Sequence, residues 1–116
     1  MNRFLVMIGL SLNLFATEID TPPFLYKILS VNDWADSQDE PTLLLSEDDE
    51  EFIHFSKQDQ VDRILNKHWE DKSAVVLKID VAALQGDLIH EDSPEGPVLY
   101  QGEIPLEAVV DVTPWQ

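Results

Sequence analysis

Short apolar runs separated by polar turns predict a fold that contains several β-strands. Residues 24–29 (FLYKIL) are rich in β-forming side chains, and residues 52–55 (FIHF) form a second such run. Residues 74–79 (AVVLKI) are almost entirely apolar, which predicts a central strand covered on both faces. Residues 98–100 and 108–112 predict two further strands, and residues 42–45 predict either a short strand or an extended arm.

Two segments have the spacing of amphipathic helices. Residues 30–38 begin with Ser30, a residue type that caps helices, and residues 57–69 carry apolar side chains at i, i+3, i+4 and i+8. Ser56 is predicted to cap the second helix, and Asp80 is predicted to cap a single turn that Gly86 ends. Short strands, two main helices and no internal repeat predict a small single-domain α+β fold.

The first sixteen residues differ from the rest of the chain and predict a signal peptide. Arg3 precedes an apolar run, and Ala16 supplies a small residue at its end. The run is too short to span a bilayer, so no stable membrane anchor is expected. Residues 17–23 then form a linker, and residues 24–116 form the domain. We therefore expect a periplasmic or secreted protein, and a cytoplasmic one only where this signal does not operate.

The charge balance restricts the possible partners. The 116 residues include 23 acidic and 7 basic side chains, a formal net charge of −16, and no cysteine. Such a surface repels nucleic acids, so a macromolecular partner should be a basic protein. The absence of cysteine excludes disulfides and thiolate chemistry. No spacing typical of zinc or calcium ligands is present, so no metal site is predicted.

Several motifs together resemble a known bacterial family. Tyr26-Lys27-Ile28, the segment FIHFS at residues 52–56, and PLEAV at residues 105–109 occur in the order found in the domain of unknown function 952 family. The similarity extends over residues 24–114. It implies two small sheets that form a cleft, distantly similar to the ADP-ribosyltransferase-like fold, with NAD or another nucleotide as the possible ligand. The family implies no activity, and Val98 replaces a histidine that is usual in it.

His54 and Ser56 are the leading candidates for ligand contacts. Side chains alternate along a strand, so these two residues share one face and could bind a ribose or a phosphate. A helix that starts after Ser56 would add free N–H groups suited to an anion. The structural alternative is a buried His54 bonded to the backbone, with Ser56 acting only as a cap.

Three further residues complete the predicted ligand-binding set. Lys27 could hold a phosphate, although a salt bridge to one of the many acids is favoured, and the neighbouring Tyr26 is expected in the core. Glu91 could orient a ribose hydroxyl, as the resemblance implies, or be one acid among 23. Tyr100 could contact a ligand or be a packed aromatic whose hydroxyl has one partner.

Two functions of different class remain open on the sequence. The first is a nucleotide- or sugar-phosphate-binding domain of unproven activity, which would take a small anionic ligand into its cleft. The second is a non-catalytic exported protein that binds a basic protein through its acidic surface.

Overall fold

The computed structural model describes residues 21–45, 49, 51–90, 96 and 98–116. The predicted signal peptide, most of the acidic run and Glu91 lie outside these residues. The strands and α-helices of the described part are β1 Phe24–Ser30, α1 Val31–Ser37, β2 Ile53–Phe55, α2 Val61–His68, β3 Ala74–Asp80, β4 Asp87–His90, β5 Val98–Gln101 and β6 Val109–Trp115. They confirm the predicted α+β class.

The strands form two antiparallel sheets of three strands each. The first sheet has the order β1-β3-β6, so the apolar strand β3 is central, as its composition predicts. The second has the order β2-β5-β4, in which Ile53 lies opposite Tyr100. A single bridge between Tyr26 and Ser56 joins β1 to the end of β2. The sheets therefore meet at one corner.

The larger core cluster lies between the inner faces of the two sheets. Leu25, Leu77 and Ile79 of the first sheet and Phe55 and Tyr100 of the second are almost completely buried there. The rings of Phe55 and Tyr100 pack with their centroids 5.7 Å apart. This burial of apolar surface is the main force that holds the two sheets together.

The outer face of the first sheet is covered by α2. Leu65 packs there with Ile28 and Ala74 in a second buried cluster, which Trp69 and Trp115 border. The helical spacing of the sequence thus predicts the buried stripe of α2. The indole Nε1 of Trp115 donates a 3.2 Å hydrogen bond to the carbonyl of Trp69, which ties the end of β6 to the end of the helix.

The helix starts agree with the sequence in one case and differ in the other. The Ser30 hydroxyl accepts a 3.0 Å bond from the Asp33 N–H and caps α1 as predicted. The predicted cap by Ser56 is wrong, because a short 3-10 turn, Gln58–Gln60, precedes α2. The Gln60 side chain reaches back from this turn and accepts the Lys57 N–H at 2.9 Å.

Two details near the end of the chain also differ from expectation. Strand β6 continues to Trp115 rather than ending at residue 112, because Pro114 lies on an edge strand where a missing N–H is tolerated. Asp80 caps the turn Val81–Ala83 as predicted. Gly86, however, does not end that turn. It is required because a Cβ there would overlap the carbonyl oxygen of Gln101.

None of the helices within the described ranges is long and apolar enough to cross a bilayer.

Candidate ligand-binding cleft

A cleft of about 570 Å³ opens beside the corner at which the two sheets meet. The second half of β1 and residues 54–56 form one side, and α2 with the residues that flank it forms the other. Binding sites for small molecules are typically about 300–1,000 Å³. The cleft is therefore large enough for a nucleotide-sized ligand.

The cleft exists because β1 and β2 pair at one point and then separate. Tyr26 and Ser56 exchange two main-chain hydrogen bonds of 2.8 Å. Because N–H and C=O groups alternate in direction along a strand, the main-chain groups of Ile28 point to the same side as those of Tyr26. Ile28 lines the cleft and no described strand pairs with this side of it. Its N–H and C=O thus face the cleft.

A buried ion pair occupies the place where strand pairing would continue on the β2 side. Lys27 Nζ lies 2.8 Å from Asp49 Oδ2 and also donates to the His54 carbonyl at 3.2 Å. Asp49 Oδ1 accepts the His54 main-chain N–H at 3.1 Å. The main-chain N–H and C=O of His54 are therefore hydrogen-bonded to the side chains of Asp49 and Lys27, and not to the main chain of β1. The salt bridge favoured for Lys27 is confirmed, and it keeps the two strand edges apart.

Asp49 stays ionised in this position. Burial by itself would raise the pKa of Asp49, but the Lys27 charge and the hydrogen bonds from Lys27 and His54 hold that pKa below its usual value. Its side chain is only 4% exposed. A fixed carboxylate therefore lies at the base of His54.

The imidazole of His54 points outward from this carboxylate. Its Nδ1 lies 3.1 Å from Asp49 Oδ1, and the side chain is 49% exposed. Because an ionised carboxylate only accepts hydrogen bonds, Nδ1 carries the proton and Nε2 keeps its lone pair in the neutral ring. The alternative of a buried His54 is wrong: the main chain of His54 is enclosed, and its ring is accessible.

Ser56 is a buried residue whose hydroxyl has no hydrogen-bond partner among the described residues. The residue is 8% exposed and lines the cleft. Its main-chain N–H and C=O are both hydrogen-bonded to Tyr26. Within the described part of the chain its hydroxyl makes no hydrogen bond. A buried polar group is stabilised by a partner, so a ligand oxygen in the cleft would satisfy it.

The opposite wall supplies positive charge that the sequence analysis did not single out. Arg63 on α2 and Lys72 beyond it line the cleft together with His68. With Lys27, half of the six lysines and arginines that follow residue 16 lie at this one cleft, in a chain whose net charge is −16. Asp33 and Asp49 are the carboxylates of the described residues that line it. Because Lys27 is paired with Asp49, the described cations that this wall adds to the cleft are Arg63 and Lys72, beside the carboxylate of Asp33.

Not every predicted site residue reaches the cleft. Lys27, His54 and Ser56 are brought together there. Tyr100 is not: it is 1% exposed, and its hydroxyl accepts the Gly86 N–H at 2.9 Å and donates to the carbonyl of Glu103 at 3.2 Å. It has two partners instead of one.

The expectation for Tyr26 is wrong. Alternation along β1 turns Lys27 toward the main core and leaves Tyr26 on the other face, half-buried beside Phe24 and Lys78 in a shallow second groove. The Lys78 ammonium lies 4.3 Å from the centre of the Phe24 ring.

No group of three or more potential metal ligands occurs among the residues that the structure describes. His54 and His68 both line the cleft, and the third histidine, His90, lies on β4 and is hydrogen-bonded to Thr21.

Comparison with known proteins gives a family and a fold. Residues 28–112 match the model of the family described as "Protein of unknown function (DUF952)". The chain is similar to the crystal structure of protein CC0527 from Caulobacter crescentus, with a TM-score of 0.70 and 22% identity over 80% of this chain and 86% of that one. A double mutant of CC0527 gives the same TM-score at 21% identity. No curated protein matches the chain.

Proposed function

The chain belongs to the DUF952 family of proteins of unknown function, and we propose that its cleft binds a small anionic ligand of the nucleotide or sugar-phosphate class. The observation that carries the proposal is the presence of Arg63 and Lys72 on the wall of the cleft that faces His54 and Ser56, in a strongly acidic protein. Positive side chains at a cleft favour an anionic ligand there, and more so in a chain whose net charge is −16.

The polar groups of the cleft suit the two parts of such a ligand. Arg63 and Lys72 would pair with phosphate oxygens, and the buried Ser56 hydroxyl would bond to a ribose or phosphate oxygen. The Ile28 N–H and C=O offer one donor and one acceptor side by side, which matches the edge of a nucleobase or an amide. NAD, ADP-ribose and ADP all combine these features.

We also propose that this fold is distantly related to the ADP-ribosyltransferase-like fold. Two small sheets that separate from one bridge beside a cleft support a distant similarity to the ADP-ribosyltransferase-like fold. On that basis NAD or a related nucleotide is the first ligand to test. A predicted role of Glu91 toward a ribose hydroxyl belongs to this proposal as well.

The test is a binding titration by calorimetry with ADP, ADP-ribose, NAD, ribose 5-phosphate and inorganic phosphate. The discriminating variant is Arg63→Gln. The matched control is Lys67→Gln, which removes one positive charge from the same helix at a position that does not line the cleft. We expect at least a tenfold loss of affinity in Arg63→Gln and less than a twofold change in Lys67→Gln. Equal weakening in both variants would show general electrostatics and contradict a cleft site.

A second function is supported by the charge outside the cleft. Because half of the basic side chains line the cleft, the remaining surface is more acidic than the composition alone suggests. An exported protein with this surface would bind a basic protein partner. If none of the five ligands binds at millimolar concentration, this second function takes the place of the first.

A further inference from the structure

We propose that Asp49 and His54 form a general acid–base pair that hydrolyses a phosphodiester bound in the cleft, with His54 as the catalytic residue and Asp49 as its positioning residue. The proposal rests on the proposed function, because the substrate must first bind as an anion beside Arg63 and Lys72. It adds a reaction to a cleft for which only binding was proposed.

The geometry of the pair carries the inference. Asp49 is fixed from three directions by Lys27 Nζ at 2.8 Å, the His54 N–H at 3.1 Å and the His54 ring Nδ1 at 3.1 Å. A carboxylate held in this way sets both the orientation and the tautomer of the ring. The ring itself is 49% exposed, so Nε2 is accessible from the cleft that His54 lines. A histidine with a purely structural role does not need an accessible second nitrogen.

The surrounding charges favour chemistry at phosphorus over chemistry at a sugar carbon. Glycoside hydrolysis generally uses two available carboxylates. Here Asp49 is already held by Lys27 and His54, which leaves Asp33 among the described carboxylates of the cleft. Phosphoryl transfer instead depends on cations that stabilise the equatorial oxygens, and Arg63 and Lys72 supply them.

The reaction balances with water as the only co-reactant. His54 Nε2 takes a proton from a water molecule as the water oxygen forms a bond to phosphorus. The bond from phosphorus to the leaving oxygen breaks, and that oxygen keeps the electron pair. The leaving oxygen takes a proton from solvent water and the imidazolium releases its proton to solvent, so the products are a phosphomonoester and an alcohol. Asp49 stabilises the imidazolium between these two transfers.

The first measurement needs no substitution. Nitrogen-15 NMR of the full chain, recorded across the titration of the histidines, reports which ring nitrogen of His54 is protonated. We expect the Nδ1–H tautomer for neutral His54 and a mixture dominated by the other tautomer for exposed His90. An Nε2–H tautomer for His54 would overturn the proposal, because that nitrogen could not then act as the base.

The second measurement is hydrolysis of thymidine 5′-(p-nitrophenyl phosphate), followed by release of p-nitrophenolate. His54→Ala should lose at least about 100-fold in rate, in line with the usual contribution of a general base. His90→Ala is the matched control and should stay within twofold. Free imidazole added to His54→Ala should restore part of the rate, which a structural role for the ring would not allow.

Asp49→Asn should lower kcat at least about tenfold and leave KM within about twofold, because the ring then loses its fixed orientation while the cations that bind the phosphate stay in place. Among the described residues, the charged and titratable groups that line the cleft with His54 are Lys27, Asp33, Asp49, Arg63, His68 and Lys72.

The outcomes separate this proposal from the proposed function. ADP binding together with hydrolysis that depends on His54 supports both. ADP binding without hydrolysis, or with hydrolysis that His54→Ala leaves unchanged, overturns the acid–base pair and leaves the binding function intact. Absence of both binding and hydrolysis overturns both proposals.

Discussion

Lys27 and Asp49 show how a buried ion pair can define a cleft. The pair satisfies the main-chain groups of His54 that would otherwise bond to a neighbouring strand. Such a pair adds little stability relative to apolar residues of the same size, because removing two charges from water is costly. Its value here is positional: it holds the edges of β1 and β2 apart and fixes the ring of His54.

Removal of one partner should therefore be more harmful than removal of both. Asp49→Asn should lower the free energy of unfolding by about 3–5 kcal/mol at pH 7, since Lys27 is then a buried charge without its counter-ion. Adding Lys27→Met to that variant should recover a large part of the loss, although it removes one more polar group. Urea denaturation of the wild type and the single and double variants checks this. A double variant less stable than Asp49→Asn would contradict it.

The same carboxylate should give the fold a particular acid sensitivity. Because the pKa of Asp49 is lower in the folded than in the unfolded chain, its contribution to stability is complete above its usual value of 3.8 and is lost as the pH falls through the folded-state pKa. The wild type should thus lose more stability below pH 3.8 than the Asp49→Asn variant does. Denaturation curves of both proteins over this range give the comparison.

At the scale of the elements, α2 links core packing to the cleft. One side of this helix inserts Leu65 into the smaller cluster, and the other brings Arg63 to the cleft. The larger cluster, which contains Leu43, lies on the opposite side of the first sheet. Looser packing of α2 should consequently disturb the cleft, whereas looser packing of the larger cluster should not.

A pair of equal truncations tests this link. Leu65→Ala and Leu43→Ala each remove a buried leucine side chain, 3% and 5% exposed respectively, and each should cost about 2–5 kcal/mol of stability. Only Leu65→Ala should also weaken the binding of ADP, by at least threefold, when affinity is measured well below both melting temperatures. An equal loss of affinity in the two variants would mean that general destabilisation, not the position of α2, is responsible.

The sequence predicts the elements better than it predicts the cleft. The periodicity of residues 57–69 and the apolar composition of residues 74–79 are local properties, so α2 and the central position of β3 could be predicted from them. The contact of Lys27 with Asp49 joins residues 22 apart. Asp49 stands among four other acids in the sequence, and nothing local marks it as an acid that turns inward.

The error at Ser56 has a similar origin. A serine before a helical pattern favours a cap, but Ser56 is held by the strand bridge to Tyr26, a contact across the fold. That bridge keeps the residue extended, and the turn begins one residue later, where the Gln60 side chain accepts the Lys57 N–H. The same bridge explains why His54 and Ser56 reach the cleft together, which the alternation of side chains did predict.

At the scale of the whole molecule, the dominant feature is the excess of negative charge. With 23 acidic and 7 basic side chains, like charges repel one another over the surface, and compaction of the chain brings them closer. Three of the positive side chains, Lys27, Arg63 and Lys72, line the cleft, so fewer remain to offset the negative charge of the other surfaces. Charge repulsion thus makes folding of this protein less favourable, by an amount that depends on the ionic strength of the solution.

This cost predicts a dependence of stability on salt. Raising sodium chloride from about 0.01 to 0.1 M shortens the screening length from about 30 to 10 Å, so repulsion between separate surface regions weakens strongly. The melting temperature at pH 7 should rise over this range. At pH 4.1, the isoelectric point, the net charge is close to zero and the rise should disappear. Calorimetry at the two pH values makes the comparison. An equal increase in melting temperature at both pH values would mean that salt acts by strengthening apolar burial. An increase confined to pH 7 would show that repulsion between the negative side chains lowers the stability of the fold.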